Sequence, residues 1–200
     1  GVGFGDINLL INSIIKKNNK YNFIGFIEDD KKKSSKIFGR YKVIGTWKIL
    51  SNKKYYVFNS VCKNYKVRNL AHKKLNSYGA KFINLIDPTI DTNFTKLGNG
   101  IAIFKNVFLG TNTKIGSQSI VHSFSSIGHD VKIGKNCFVG PGAKILGGVT
   151  IENDVLIGAN AVCLPNSIIK SRSIIGAGSI VSGKVPANST MFSGLAKKII

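Results

Sequence analysis

Between Ile103 and Val181 apolar side chains recur at every sixth position: Ile103, Leu109, Ile115, Val121, Ile127, Ile133, Val139, Ile145, Ile151, Ile157, Cys163, Ile169, Ile175 and Val181. Four residues after each stands a small or β-branched one: Val107, Thr113, Ser119, Ser125, Val131, Cys137, Ala143, Val149, Val155, Ala161, Ser167, Ser173, Ser179 and Val185. A helix needs spacings of three and four, and a plain strand alternates every second residue. A strict period of six therefore predicts a short strand and a turn, repeated, which winds into a parallel β-helix. Three sides of six residues close one coil of eighteen, and coils stack at about the 4.8 Å inter-strand spacing. Residues eighteen apart are thus vertical neighbours, with large aliphatics stacked inside and small residues at the tight corners. Glycine follows the aliphatic at Gly110, Gly116, Gly128, Gly134, Gly140, Gly158 and Gly176, which suits a corner where the backbone bends sharply or packs closely. Handedness does not follow from this pattern; crossovers in general are right-handed.

The pattern ahead of the repeat is different. Gly1-Val2-Gly3-Phe4-Gly5-Asp6 precedes Ile7, Leu9, Leu10, Ile11, Ile14 and Ile15, a spacing that predicts a helix ending at Lys16 and Lys17. Glycines ahead of a helix suit phosphate binding, because backbone N–H groups are free there. The spacing is not the full G-x-G-x-x-G, and the strand expected before such a loop is missing from this chain. Asn22 to Ile27 reads as a strand with Glu28, Asp29 and Asp30 at its carboxyl end, where open α/β sheets bind ligands. Carboxylates there can accept hydrogen bonds from ribose hydroxyls or a base N–H. Further strands are predicted at 41–44, 55–59 and 82–86, and a helix from about Tyr65 to Ser77. Asp87-Pro88 marks the boundary, since proline disfavours helical backbone in the residue before it. The expected organisation is an α/β, Rossmann-like domain over residues 1–87, the β-helix over 88–187 and a tail over 188–200.

Composition narrows the function classes. At 200 residues and 43% hydrophobic the chain can build one or two packed cores. No apolar run reaches the eighteen or so residues of a membrane span and no secretory signal pattern opens the chain, so the expected compartment is the cytoplasm. Cys62, Cys137 and Cys163 are unpatterned, and two occupy inward hexad positions, so all three read as small core hydrophobes. The net charge of +20 attracts polyanions. Its lysines are nevertheless spread through both halves without the aromatic interleaving of a single-strand binder, so no nucleic-acid partner is expected. A nucleotide-linked substrate and a phosphorylated co-substrate profit from the same field.

Two of the three histidines, His122 and His129, lie on the coils. His129 comes one residue after a corner glycine, in Ile127-Gly128-His129-Asp130, where a side chain points outward. Asp130 is placed to hold one ring nitrogen and raise the basicity of the other. Eighteen residues on from His129 stands Gly147, within Leu146-Gly147-Gly148. An imidazole beside a glycine N–H is what acyl transfer requires, base on one side and oxyanion donor on the other. An exposed histidine on a solenoid that does no chemistry is the competing reading. A metal site is disfavoured, because His72 lies outside the coils.

Taken together, these residues resemble the left-handed β-helix acetyltransferases that modify nucleotide-linked amino sugars or sialic acid. The resemblance rests on the glycine loop, the strand ending in acidic residues, the Arg68-bearing helix, Asp87-Pro88, His129-Asp130, Val139-Gly140-Pro141-Gly142-Ala143, Gly147-Gly148, Ile175-Gly176-Ala177-Gly178 and Ser193-Gly194-Leu195-Ala196-Lys197. It implies a left-handed coil, a homotrimer and direct acetyl transfer from acetyl-CoA, without a metal. His129 is then the catalytic base, Asp130 its polarising partner, and the Gly147 N–H the donor to the thioester carbonyl. Phe138, Ala159 and Ala177 match the acetyl-CoA contacts in a groove between subunits. Gly3, Phe4, Gly5, Glu28 and Asp29 match the nucleotide-sugar contacts, and His122 lies on the substrate side. The chain departs from the pattern at Phe138, where some members carry histidine, at His122, where asparagine is common, and at Lys63, Asp87 and Leu195. The expected activity is N-acetylation of a UDP-linked 4-amino sugar. Sugar O-acetylation of the sialic acid type and a non-catalytic binding scaffold are the alternatives.

Overall fold

A computed structural model of the chain describes residues 4–17, 21–28, 37–38, 41–52, 55–61 and 64–193. It divides into two compact units, one of residues 1–88 with 99–101 and one of residues 89–98 with 102–200.

The first unit opens with helix α1, Phe4–Lys17, three residues earlier than the apolar spacing marks. Ile7, Leu10 and Ile11 bury its inner face, Leu9 stays outside, and Lys16 and Lys17 lie in the last turn, where cations suit the helix dipole. Strand β1 (Phe26–Ile27) pairs in parallel with β3 (Tyr41–Gly45), and β2 (Ile37–Phe38) joins β3 antiparallel. Strand β4 (Tyr56–Val57) pairs in parallel with β5 (Lys81–Phe82), on either side of helix α2, Tyr65–Ser77. Asn64 caps α2 by accepting the Val67 N–H at 2.9 Å. The α/β character expected of this region is present, as a three-stranded mixed sheet and a separate parallel pair.

Arg68, on the inner face of α2, is 5% exposed. A buried guanidinium must find acceptors; one of its terminal nitrogens donates to the carbonyls of Asn59 at 2.6 Å and Val61 at 2.7 Å. Asn59 returns a hydrogen bond to the Arg68 carbonyl at 3.1 Å. Asp87 is likewise buried and accepts from Ser13 Oγ at 2.7 Å.

The second unit is the predicted parallel β-helix. Its three columns of strands run Leu97, Ile115, Ile133, Ile151, Ile169; Ile103, Val121, Val139, Ile157, Ile175; and Leu109, Ile127, Ile145, Cys163, Val181, each member paired in parallel with the one eighteen residues on. Within the second unit the ladder starts one strand before Ile103, at Thr95–Leu97. Most of these side chains are wholly buried, as are the small residues between them. The small positions do more than save space: Thr113 Oγ1 donates to the Gly110 carbonyl at 2.8 Å and Ser167 Oγ to the Leu164 carbonyl at 2.7 Å, satisfying corner carbonyls that the ladder leaves over.

One expectation about the coil is corrected and another is narrowed. Val185 does not continue the row of small residues; it pairs with Ile169, and Met191 with Ile175, both sixteen residues apart, so the last coil is two residues short and Val185 takes an aliphatic position. Of the two roles that the corner glycines suit, bending and close packing, the structure keeps the second. The left-handed backbone falls at the third residue after the aliphatic on all but the last coil, as at Asn112 (φ 57°), Asp130 (φ 58°), Asn136 (φ 55°) and Asn160 (φ 54°). The glycines next to the aliphatics serve close packing instead, since a β-carbon on Gly116 would lie 2.5 Å from the Gly134 backbone one coil above.

Candidate active site

The strand Ser126–Ile127 leads into a corner that Gly128, His129 and Asp130 turn before Lys132–Ile133 begins the next side. Backbone bonds fix this corner between its neighbours: the Asp130 N–H donates to the Thr111 carbonyl at 2.9 Å, and the Gly148 N–H to the His129 carbonyl at 2.9 Å. Thr111, His129 and Gly147 thus stack in one column, and Asn112, Asp130 and Gly148 in the next. Gly128 draws the coils together, because a β-carbon there would come within 2.8 Å of the Gly147 nitrogen.

The His129 side chain is 69% exposed, pointing away from the prism. Its Nδ1 lies 2.8 Å from Asp130 Oδ2. An ionised carboxylate only accepts, so Nδ1 carries the proton of this hydrogen bond. Asp130 is itself held from the coil below, where Asn112 Nδ2 donates to Asp130 Oδ1 at 2.6 Å. The hydrogen bond from His129, followed by that from Asn112, holds the Asp130 carboxyl below its ordinary pKa. Above the ring lies Gly147, whose missing β-carbon would meet His129 Nε2 at 2.5 Å. Among the described residues the Gly147 N–H has no backbone acceptor, so it is a donor that the ladder leaves over.

His122 lies on a different corner. Its ring stacks on Phe104, with centroids 4.3 Å apart and planes within 12°, and tilts toward Phe138 at 6.2 Å. Phe138, Ala159 and Ala177 follow the same edge of the prism upward, beside Gly140, Gly158 and Gly176, which stack without side chains. Of the expected nucleotide-sugar residues, Phe4 and Gly5 form the first turn of α1, Glu28 follows β1 and is partly exposed, and Gly3 and Asp29 lie outside the described residues. Among the described residues no group of three or more His, Cys, Asp or Glu is placed to hold a metal. No helix there is long and apolar enough to cross a membrane. Sequence reasoning missed Asn112, although its position eighteen residues before Asp130 is a usable signal.

The repeat region matches two families. Residues 112–147 and 130–165 match the bacterial transferase hexapeptide (six repeats), and residues 148–183 match the hexapeptide repeat of succinyl-transferase. No curated protein sequence matches the chain. Among solved structures, PerB from Caulobacter crescentus, in complex with CoA and GDP-perosamine, superposes with a TM-score of 0.83 at 22% identity, covering 96% of this chain and 91% of that one. The acetyltransferase domain of PglB from Neisseria gonorrhoeae, in complex with acetyl coenzyme A, gives 0.82 at 20% identity over 98% and 96%. WeeI from Acinetobacter baumannii gives 0.58 at 21% identity over 95% and 92%. These likenesses describe the fold, and the matched repeats, which span residues 112–183, describe the coil.

Proposed function

We propose that the chain is an acetyl-CoA-dependent acetyltransferase acting on the amine of a nucleotide-linked amino sugar, with His129 as general base. The observation that carries this reading is the His129 ring, oriented by Asp130 through Nδ1 and lying against Gly147, whose N–H the ladder leaves over. His129 Nε2 accepts the proton that the acceptor amine sheds as its nitrogen bonds to the acetyl carbonyl carbon. The Gly147 N–H donates to the oxygen that gains charge there. When the carbon–sulfur bond breaks, His129 returns the proton to the departing thiolate. Asp130 stabilises the imidazolium in the interval and keeps the ring in one tautomer. No covalent adduct with the protein is required.

The residues along the other corner suit a thin co-substrate. Gly140, Gly158 and Gly176 leave bare backbone over three coils, and Ala159 and Ala177 add only methyl groups, so a narrow pantetheine arm can lie along the edge. This edge and the His129 corner are separated by one six-residue side, about 20 Å at strand rise. A second copy laid against the coil closes that gap, which supports a homotrimer. In the column Ala102, Ile120, Phe138, Leu156 and Ile174, the first two are buried within the chain, while Phe138, Leu156 and Ile174 are accessible, uncharged and apolar, as a shared face requires. A left-handed coil is the handedness this reading takes, and the first unit is the nucleotide-sugar side, with α1 and Glu28 nearest the expected contacts. The solved relative holding CoA and GDP-perosamine supports this substrate class.

The test is thiol release from acetyl-CoA with a panel of nucleotide-linked amino sugars. His129→Ala keeps the fold and loses about 10²- to 10⁴-fold of turnover; undiminished turnover in a folded variant defeats the assignment. An alkali-stable product identifies an amide, and an alkali-labile one an ester.

A further inference from the structure

We infer that Asn112 is a positioning residue for the base, acting through Asp130 from the coil below. This rests on the reading of His129 given above. Asp130 has two carboxylate oxygens, and each has its own donor. Oδ2 accepts the His129 Nδ1 proton at 2.8 Å, while Oδ1 accepts an Asn112 amide proton at 2.6 Å. A carboxylate held at one oxygen can swing about its χ angles; held at both, it has one orientation. The histidine gains that fixity because its own side chain is largely solvent-exposed and no core packing restrains it. The solenoid supplies the second anchor through its repeat. Asn112 and Asp130 occupy the same left-handed corner position on successive coils, with φ of 57° and 58°, so the side chains start parallel and one coil spacing apart. Asparagine is at home in that conformation and donates an amide proton there without backbone strain.

The coil contains its own control. Asn136 Nδ2 donates to Asp154 Oδ1 at 2.7 Å across the same eighteen-residue step, on another corner. There the residue before the aspartate is Asn153 in place of a histidine. If the amide-to-carboxylate rung only fastens coils together, removing either rung has the same consequences. If the Asn112 rung positions the base, only its removal reaches the chemistry.

The experiment uses Asn112→Gly, which keeps the left-handed backbone and deletes the amide, Asn112→Asp, which turns the donor into a second carboxylate, and Asn136→Gly. Turnover, KM for acetyl-CoA and thermal midpoint are measured for each, and the Asp130 carboxyl and the His129 ring nitrogens are followed by NMR across pH. The charged groups acting on Asp130 are His129 and Lys132, and both are present in every variant. The expected result is a kcat about tenfold lower for Asn112→Gly, the scale of one charge-assisted hydrogen bond, and lower still for Asn112→Asp, with KM little changed. The Asp130 midpoint rises in Asn112→Gly and the ring nitrogen shifts move away from those of a single Nδ1–H tautomer. Asn136→Gly lowers the thermal midpoint and leaves kcat alone. An unchanged Asp130 midpoint and unchanged ring shifts in Asn112→Gly overturn the inference, as does an equal loss of kcat in Asn136→Gly. Should His129→Ala leave turnover intact, the assignment of His129 as the base falls, while the NMR midpoints still decide whether Asn112 orients Asp130.

Discussion

The imidazole of His129 lies across the bare α-carbon of Gly147, one coil above: a β-carbon on Gly147 would sit 2.5 Å from Nε2 and 2.7 Å from Cε1 of that ring. Any side chain at 147 therefore displaces the histidine. Gly147→Ala is expected to lower kcat by about 10²-fold, the penalty of misplacing a catalytic group by roughly an ångström. Far-ultraviolet circular dichroism should match the parent, because Gly147 is not a left-handed position and its corner is partly exposed. Steady-state rates on folded Gly147→Ala settle the matter; parental kcat would show that the ring does not need its place over residue 147.

Glu152 fastens three groups of the coil above it, Lys170 Nζ at 2.6 Å, Ser171 N–H at 3.0 Å and Ser171 Oγ at 2.9 Å. The hydrogen bond from Lys170, and then those from Ser171, pull its carboxyl from 4.5 down to about 2. A depressed carboxylate contributes stability that is fully present above its unfolded value and fades as pH falls toward its folded one. The gap in thermal midpoint between parent and Glu152→Gln should thus be constant above about pH 5 and shrink between 4.5 and 2. A gap that persists undiminished at pH 2 contradicts this role.

Cys137 and Cys163 stand in the prism interior, and burial pushes both thiols up to about 12. The thiolate is the reactive form, so neither is available to an alkylating reagent at pH 8. Of the three cysteines in the chain, the native protein should titrate with at most one, and all three should react in denaturant. Rapid modification of either coil cysteine in native protein, read by peptide mass, is the contrary outcome.

Phe124 holds a left-handed backbone (φ 63°) with its ring 67% exposed, at the position where most other corners place asparagine, aspartate or glycine. For a bulky residue that conformation costs about 1–2 kcal/mol. Phe124→Asn should raise the thermal midpoint by about 2–4 °C, measured by scanning calorimetry; a lowered midpoint would show that the exposed ring has a packing role.

Much of the coil is legible in the sequence because a six-residue period fixes both which side chains face inward and which residues stack. Ile127, Ile145 and Cys163 fall in one column by counting alone, and the same counting sets Gly147 over His129. The corners are legible too, although the bend lies at a different residue from the one the glycines suggest. Asn112, Asp130, Asn136, Asn160 and Gly178 all announce a left-handed bend, while Gly116 and Gly128 answer to the coil above them. The side-chain role of Asn112 is silent in the sequence because an amide three residues past the inward Leu109 reads as solvent-facing until its partner's conformation is known. The shortened last coil is hidden because Val185 fits either phase. In the first unit the strands β1, β4 and β5 are two residues long, too brief for periodicity to reveal their pairing, and β2 runs against β3 for reasons no local pattern carries.

A stacked coil holds each layer only through the layers next to it, so such a rod frays from its ends. The short top layer, with Met191 paired on Ile175, is the weak end of the second unit. Asn112, His129 and Gly147 belong to successive layers well below it, with the columns through Ile151, Ile157 and Cys163 stacked in between. Heat that peels off the uppermost strands leaves the corner of Asn112, His129 and Gly147 assembled.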